Sequence, residues 1–130
     1  MKNKMCPCGK NLKFDDCCYL YLSGTQRAPD AETLMRSRYS AFVTKNYDYL
    51  LKTHDPATLE HFDLASNKAW AESVEFVKLE ILNSDEQNNE GFVEFNAFFI
   101  PKKENKVRVH NEHSLFTLKD GQWYYTSVIE

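Results

Sequence analysis

Apolar residues recur at helical spacing in the first half of the chain and alternate with polar ones in the second, so helices precede strands. Tyr19-Leu20-Tyr21-Leu22 reads as a short helix that Ser23-Gly24 ends, followed by a connector up to Pro29. Asp30 suits an N-cap, and Leu34, Tyr39, Ala41 and Phe42 give the helix after it one apolar face. Asn46 marks a break before a second helix through Tyr47, Leu50 and Leu51 to His54-Asp55-Pro56. A third helical region is expected over Ala57–Ala71, with Leu59, Phe62 and Leu64 pointing inward. Val74–Leu82 is expected as an irregular strand, because apolar residues fall on both its faces, and Asn83–Gly91 as a polar turn. Phe92–Ile100, bounded by Pro101, alternates as a half-buried strand should. Val107–Leu118 and Trp123–Ile129 follow it, joined at Asp120-Gly121, a good hairpin turn. Helices first and then an antiparallel meander predict an α+β fold, with helices packed on one face of a curved sheet.

Composition narrows the class. The 130 residues are 42% hydrophobic, with 9 Phe, 7 Tyr and 2 Trp, enough to fill a core without relying on disulfides or metal. A net charge of −3 argues against a chain whose main work is coating nucleic acid. No apolar run is long enough to cross a bilayer, and MKNKMCPCGK has charge with no apolar stretch behind it, unlike a secretory signal. A cytoplasmic location is therefore expected, where thiols stay free or bind metal.

All four cysteines lie in CPCGKNLKFDDCC, at Cys6, Cys8, Cys17 and Cys18. A bond between the adjacent Cys17 and Cys18 would be strained, and cross-pairing is disfavoured in the cytoplasm. Redox chemistry wants Cys-x-x-Cys beside a strand-to-helix turn, which this is not. Metal binding fits best: four thiolates close a tetrahedral shell around Zn²⁺, the expected cofactor, with no open position for catalysis. Gly9 permits a tight turn that swings backbone amides toward the sulfurs, and Lys2, Lys4, Lys10 and Lys13 are placed to offset the negative charge of the thiolates.

This stretch resembles the SEC-C motif, the zinc-binding tail of the SecA translocation ATPase, through Cys6-Pro7-Cys8-Gly9, Lys13-Phe14 and Cys17-Cys18. Lys10-Asn11 replaces the motif's Ser-Gly, and Asp15-Asp16 stands where lysines are common, which weakens phosphate or nucleic-acid contact here. A second resemblance covers nearly the whole chain. Met35-Arg36-Ser37-Arg38-Tyr39-Ser40-Ala41-Phe42, Thr53-His54-Asp55-Pro56, Asn111-Glu112-His113-Ser114-Leu115-Phe116 and Asp120-Gly121-Gln122-Trp123-Tyr124-Tyr125 look like the YchJ family of bacterial proteins. The resemblance implies a SEC-C knuckle over residues 1–24 and a cone-shaped, nuclear transport factor 2-like (cystatin-like) domain over 25–130. It implies no particular reaction. That family usually shows His-Glu-Arg-Ser where this chain has Asn111-Glu112-His113-Ser114.

Two functions follow as expectations. In the first, the zinc knuckle presents a small surface to a protein partner, as the SecA tail does to a chaperone, with Lys13, Phe14 and Tyr19 in contact. In the second, the cone encloses a ligand cavity near Arg38, Tyr39, His110, Glu112 and Trp123. His110 and Glu112, two apart on a strand, share a face and can act as a pair, while His113 faces the other side. Side by side with that stands a structural reading: Arg38 and Glu112 as an ion pair, Tyr39 and Trp123 as core aromatics, and His54 as a helix-ending imidazole suited to the dipole. The Lys102, Lys103, Lys106 and Arg108 stretch reads as a solvated basic loop rather than a nucleic-acid site. Nothing resembles a nucleophile elbow or a phosphate-cradling glycine loop, so no residue is assigned a catalytic role.

Overall fold

The computed structural model describes residues 4–129; of the residues named above, Lys2 lies outside that range. The fold is α+β. Helices α1 (Tyr19–Leu22), α2 (Ala31–Thr44), α3 (Tyr47–Lys52) and α4 (Leu64–Ser73) precede strands β1 (Val74–Gln87), β2 (Glu90–Pro101), β3 (Arg108–Lys119) and β4 (Gln122–Val128). The strands form one antiparallel sheet in the order β1-β2-β3-β4. Among the described residues no helix is long and apolar enough to cross a membrane.

Side-chain caps set the helix starts. Asp30 accepts from the Thr33 N–H at 2.7 Å, Asn46 from Tyr49 N–H, and Asp63 from Ser66 N–H, each satisfying a donor that the first helical turn leaves free. The Asp63 cap splits the expected third helix. Pro56–His61 forms a 3₁₀ turn instead, and α4 starts afresh at Leu64. With the helix broken there, Leu59 and Leu64 are exposed rather than inward, and Phe62 is half-buried.

The polar stretch expected as a turn is mostly strand. β1 runs on to Gln87, and the hairpin closes on Asn88-Asn89, with Asn88 at φ 61°, a left-handed conformation that asparagine tolerates. The polar residues are stable there because they bind the helix layer: Glu86 accepts from the Ala31 N–H at 2.9 Å, and Ser84 donates to Glu32. Register shifts at Phe76/Lys78 and Ile81/Asn83 supply the expected irregularity and bend the strand. Gly91 closes the packing at this end. A Cβ there would lie 2.4 Å from the Ala31 Cβ and 3.2 Å from Trp123 Cζ3.

The main core joins α2 and α3 to the sheet through residues such as Leu34, Leu50, Val93, Phe95 and Phe116. A second apolar cluster holds the four cysteines and Phe14, and Leu22 packs against both. Phe14 is thus buried and offers no surface to a partner, whereas Tyr19 is exposed.

Candidate functional site

Two sites flank α2. On one side, Met5 bridges Lys13 and the Cys6 N–H donates to Leu12 O at 2.7 Å, closing a small loop that turns at Gly9 (φ 87°). This loop and the turn at Phe14–Asp16 bring the four cysteines together. All are buried and free, and their sulfurs lie within 4.8 Å of one another. Cys8 Sγ and Cys17 Sγ are 3.6 Å apart. That is far beyond a disulfide and close to the roughly 3.8 Å edge of a tetrahedron with ~2.3 Å metal–sulfur bonds. Burial and the neighbouring thiols push Cys17 up to about 12 and Cys18 up as well, whereas hydrogen bonds from Cys18 and Cys8 pull Cys6 down. Four buried thiols cannot all ionise together without a cation among them, so the donor set fits a metal ion.

α2 seats this loop. Arg36 Nη1 donates to Cys8 O at 2.7 Å while Nε pairs with Glu32 one turn back, and Ser40 Oγ lies 3.6 Å from Cys6 Sγ. Among the described residues the cation held against the knuckle is Arg36; Lys4, Lys10 and Lys13 are exposed.

On the other side, α2 and the inner face of the sheet enclose a cavity of about 400 Å³. Its walls are largely aromatic, including Phe42, Phe62, Trp70 and Phe99, and Trp70 stacks edge-on against Phe42, Phe76 and Phe99. The polar lining residues include Arg38, Tyr39, His54, His110, Glu112 and Tyr125. Strand alternation puts His110 and Glu112 on one face, opposite Ala97 and Phe95 of β2, while Asn111 meets Glu94 and Asn96 on the other.

Glu112 is the hub. Its Oε1 lies 2.9 Å from His110 Nε2, and its Oε2 accepts from Tyr125 OH at 2.7 Å and Ser114 Oγ at 2.5 Å. Burial raises the Glu112 carboxyl, but these three partners outweigh it and the group ends below its ordinary value. The hydrogen bond to Glu112 raises His110.

Arg38 is 6% exposed, and among the described residues no ion pair joins it to Glu112. The expected direct pair is replaced by an indirect one. Arg38 Nη1 donates to Leu50 O at 3.0 Å and Thr53 Oγ1 at 2.7 Å, and the guanidinium stacks 4.7 Å above the Tyr125 ring, whose hydroxyl reaches Glu112. Burial pulls Arg38 down to about 10, so it stays charged at neutral pH.

His54 was expected to end a helix as a partly charged imidazole. It is instead buried and lines the cavity, and burial together with the nearby Arg38 lowers it, so it is neutral at pH 7. Hydrogen bonds from Tyr125 N–H to Thr53 O and from Asp55 N–H to Tyr125 O draw this segment against β4. His54 Nε2 is 3.1 Å from Thr58 O, a pure acceptor, so Nε2 carries the proton and Nδ1 is a bare lone pair. Nδ1 is buried without a partner among the described residues. Beside it, Asp55 binds Lys119 Nζ at 2.6 Å, Thr126 Oγ1 and the Ala57 N–H.

Trp123 does not join the others. It is buried and lines a separate cavity with Leu34 and Tyr49. The structure therefore brings together Arg38, Tyr39, His110 and Glu112, removes Trp123, and adds His54 and Tyr125. The Tyr39 hydroxyl meets no partner among the described residues, and burial pushes it above the ordinary tyrosine range.

Residues 30–128 match the family described as YchJ, middle NTF2-like domain. The UPF0225 protein YchJ of Shigella dysenteriae serotype 1 is 40% identical over 126 residues, 95% of this chain and 81% of that protein. Two solved structures, both of SEC-C-motif-containing proteins, superpose closely. One, RPA3114 of Rhodopseudomonas palustris, has a TM-score of 0.89 at 38% identity, covering 99% of this chain and 98% of that one. The other, from Psychrobacter arcticus, has a TM-score of 0.84 at 30% identity, covering 99% and 85%.

Proposed function

The chain belongs to the YchJ (UPF0225) family, and on that premise we propose that it is a metal-stapled small-molecule-binding protein, with its working site in the cavity at Arg38. The observation that carries this reading is an open cavity of about 400 Å³ in which aromatic walls surround a few polar groups, the composition expected of a ligand site. A structural role alone would leave such a space filled by its own side chains.

The knuckle, residues 1–24, is read as the staple of the body, residues 25–130. Zinc is the metal assigned to Cys6, Cys8, Cys17 and Cys18, because an all-thiolate tetrahedral set suits it and leaves no open position. The ion would supply cohesion and no reaction step. Free thiols persist in a reducing compartment, which supports a cytoplasmic protein.

Ligand-observed and protein-observed NMR with a library of small aromatic fragments tests the cavity. Shifts should gather on Phe42, Trp70, Ala97 and Tyr125, and Ala97→Phe should abolish them while the fold is kept. Fragments that scatter over the surface, or bind Ala97→Phe unchanged, would defeat the reading.

A second reading places a protein partner on the knuckle, and one observation favours it: Met5, Leu12 and Tyr19 expose apolar surface there. Partner capture that is lost on Leu12→Asp/Tyr19→Asp, with metal content unchanged, would support docking. Capture that survives the double variant would rule it out.

A further inference from the structure

Within the cavity reading just given, on which this inference rests, we propose that the ligand is a small carboxylate with a flat apolar body, anchored by the Nε and Nη2 edge of Arg38. Four observations carry it.

Among the described residues, Arg38 is a buried cation without a carboxylate partner. Arg36, two residues earlier, takes Glu32 one turn back, but the residues one turn either side of Arg38 are Leu34 and Phe42. The nearby carboxylate, Glu112, is already engaged by His110, Ser114 and Tyr125. Buried charges are ordinarily paired, because an unpaired one loses its hydration with nothing to replace it.

Its donors are half used. Nη1 spends both N–H groups on Leu50 O and Thr53 Oγ1, while Nε and Nη2 meet no acceptor among the described residues. His54 Nδ1 is the one sealed side-chain polar atom without a partner among those residues, so the free nitrogens of Arg38 are open to the cavity it lines. The Nε–Nη2 edge is a planar fork that matches the two oxygens of a carboxylate.

The fork is held still. Tyr125 stacks on one face of the guanidinium, and the Leu50 and Thr53 contacts fix its far end, so little side-chain entropy remains to be lost on binding. Finally, the charges in the cavity favour an anion. Glu112 is engaged by His110, Ser114 and Tyr125, His54 is neutral, and Arg38 is left as the cation that meets no carboxylate among the described residues. The remaining walls, Phe42, Phe62, Trp70, Phe76 and Phe99, are aromatic and suit a flat apolar body.

The test compares trans-cinnamate with its neutral isostere cinnamamide on the metal-loaded full chain, by calorimetry and by NMR of the Arg38 Nε–H resonance. Cinnamate should bind about tenfold tighter or more, as for a charge-assisted hydrogen bond, and should shift that resonance. Arg38→Gln should level the two affinities, provided circular dichroism shows it folded. The Arg38 resonance in the unaltered protein decides the matter if it does not. Equal binding of acid and amide at the cavity resonances would overturn the carboxylate assignment and leave the cavity a site for neutral ligands. No shift of any cavity resonance by either probe would overturn both readings.

Discussion

Arg38 lies over the face of Tyr125, its guanidinium carbon 4.7 Å from the ring centroid, and the hydroxyl of that tyrosine is bonded to Glu112. One aromatic ring thus separates a cation from the anion it would otherwise neutralise, and leaves the cation available.

Tyr125→Phe keeps the ring under Arg38 and deletes the donor to Glu112. It should cost about 1.5–3 kcal/mol, the range for a hydrogen bond to a charged group. A urea midpoint lowered at constant m-value is the expected result. An unchanged midpoint would mean that Glu112 does not depend on the hydroxyl.

His110 and His54 should titrate on opposite sides of 6.5. His110 is raised by its hydrogen bond to Glu112, so its contribution to stability is complete below 6.5 and lost as pH rises through its folded value. His54 is lowered by burial, so its contribution is complete above 6.5 and lost as pH falls through its folded value. NMR titration of the ring protons checks both, and Glu112→Gln should bring His110 down while leaving His54 low.

Asp55 should make the protein acid-sensitive. Burial raises its carboxyl, but Lys119, the Ala57 N–H and Thr126 outweigh that and hold it below 3.8. The stability it contributes is present above 3.8 and disappears as pH falls through the folded value. Asp55→Ala removes the anion and strands the Ala57 N–H and Thr126 hydroxyl, while half-exposed Lys119 stays solvated, so thermal or urea denaturation near neutral pH should show a loss of about 1–3 kcal/mol.

Purified protein should carry one zinc per chain, released on Cys8→Ser or by a strong chelator. The knuckle and the body have separate apolar clusters, so hydrogen exchange should show amide protection lost around Cys6–Cys18 while the sheet stays protected. Metal loss that exposed the sheet equally would show that the two fold as one unit.

Gly91→Ala tests the packing at the hairpin. A methyl group 2.4 Å from the Ala31 Cβ forces backbone to move, and a loss of about 1–3 kcal/mol is expected on denaturation. An unaffected midpoint would mean that α2 has room to shift.

What the sequence revealed was mostly local. Asp30 and Asn46 declare their helices because a cap acts within three residues, and four cysteines within 13 residues announce a cluster able to hold a metal ion. Errors arose where a distant partner decides. The polar residues from Asn83 to Gln87 have turn composition, yet Glu86 and Ser84 are held in strand by the start of α2, more than 50 positions away. Trp123 and Tyr125 share a face of β4, but one lines a cavity with Leu34 and the other a cavity with Arg38, one turn further along α2. His54 looked like a helix end; its pairing with Tyr125 across 71 residues makes it part of the cavity wall. Arg38 and Glu112 line one cavity without pairing among the described residues, and only the structure shows that Tyr125 comes between them.

α2 is a single rigid rod with two clients. Arg36 and Ser40 hold the cysteine loop, and Arg38, Tyr39 and Phe42 line the cavity, all within five consecutive positions and two more. Thermodynamic linkage then binds the two sites to one rule: whatever factor metal loading applies to ligand affinity, the ligand must apply to metal affinity. A ligand that favours the metal-loaded chain would raise the chain's equilibrium affinity for the ion by that same factor.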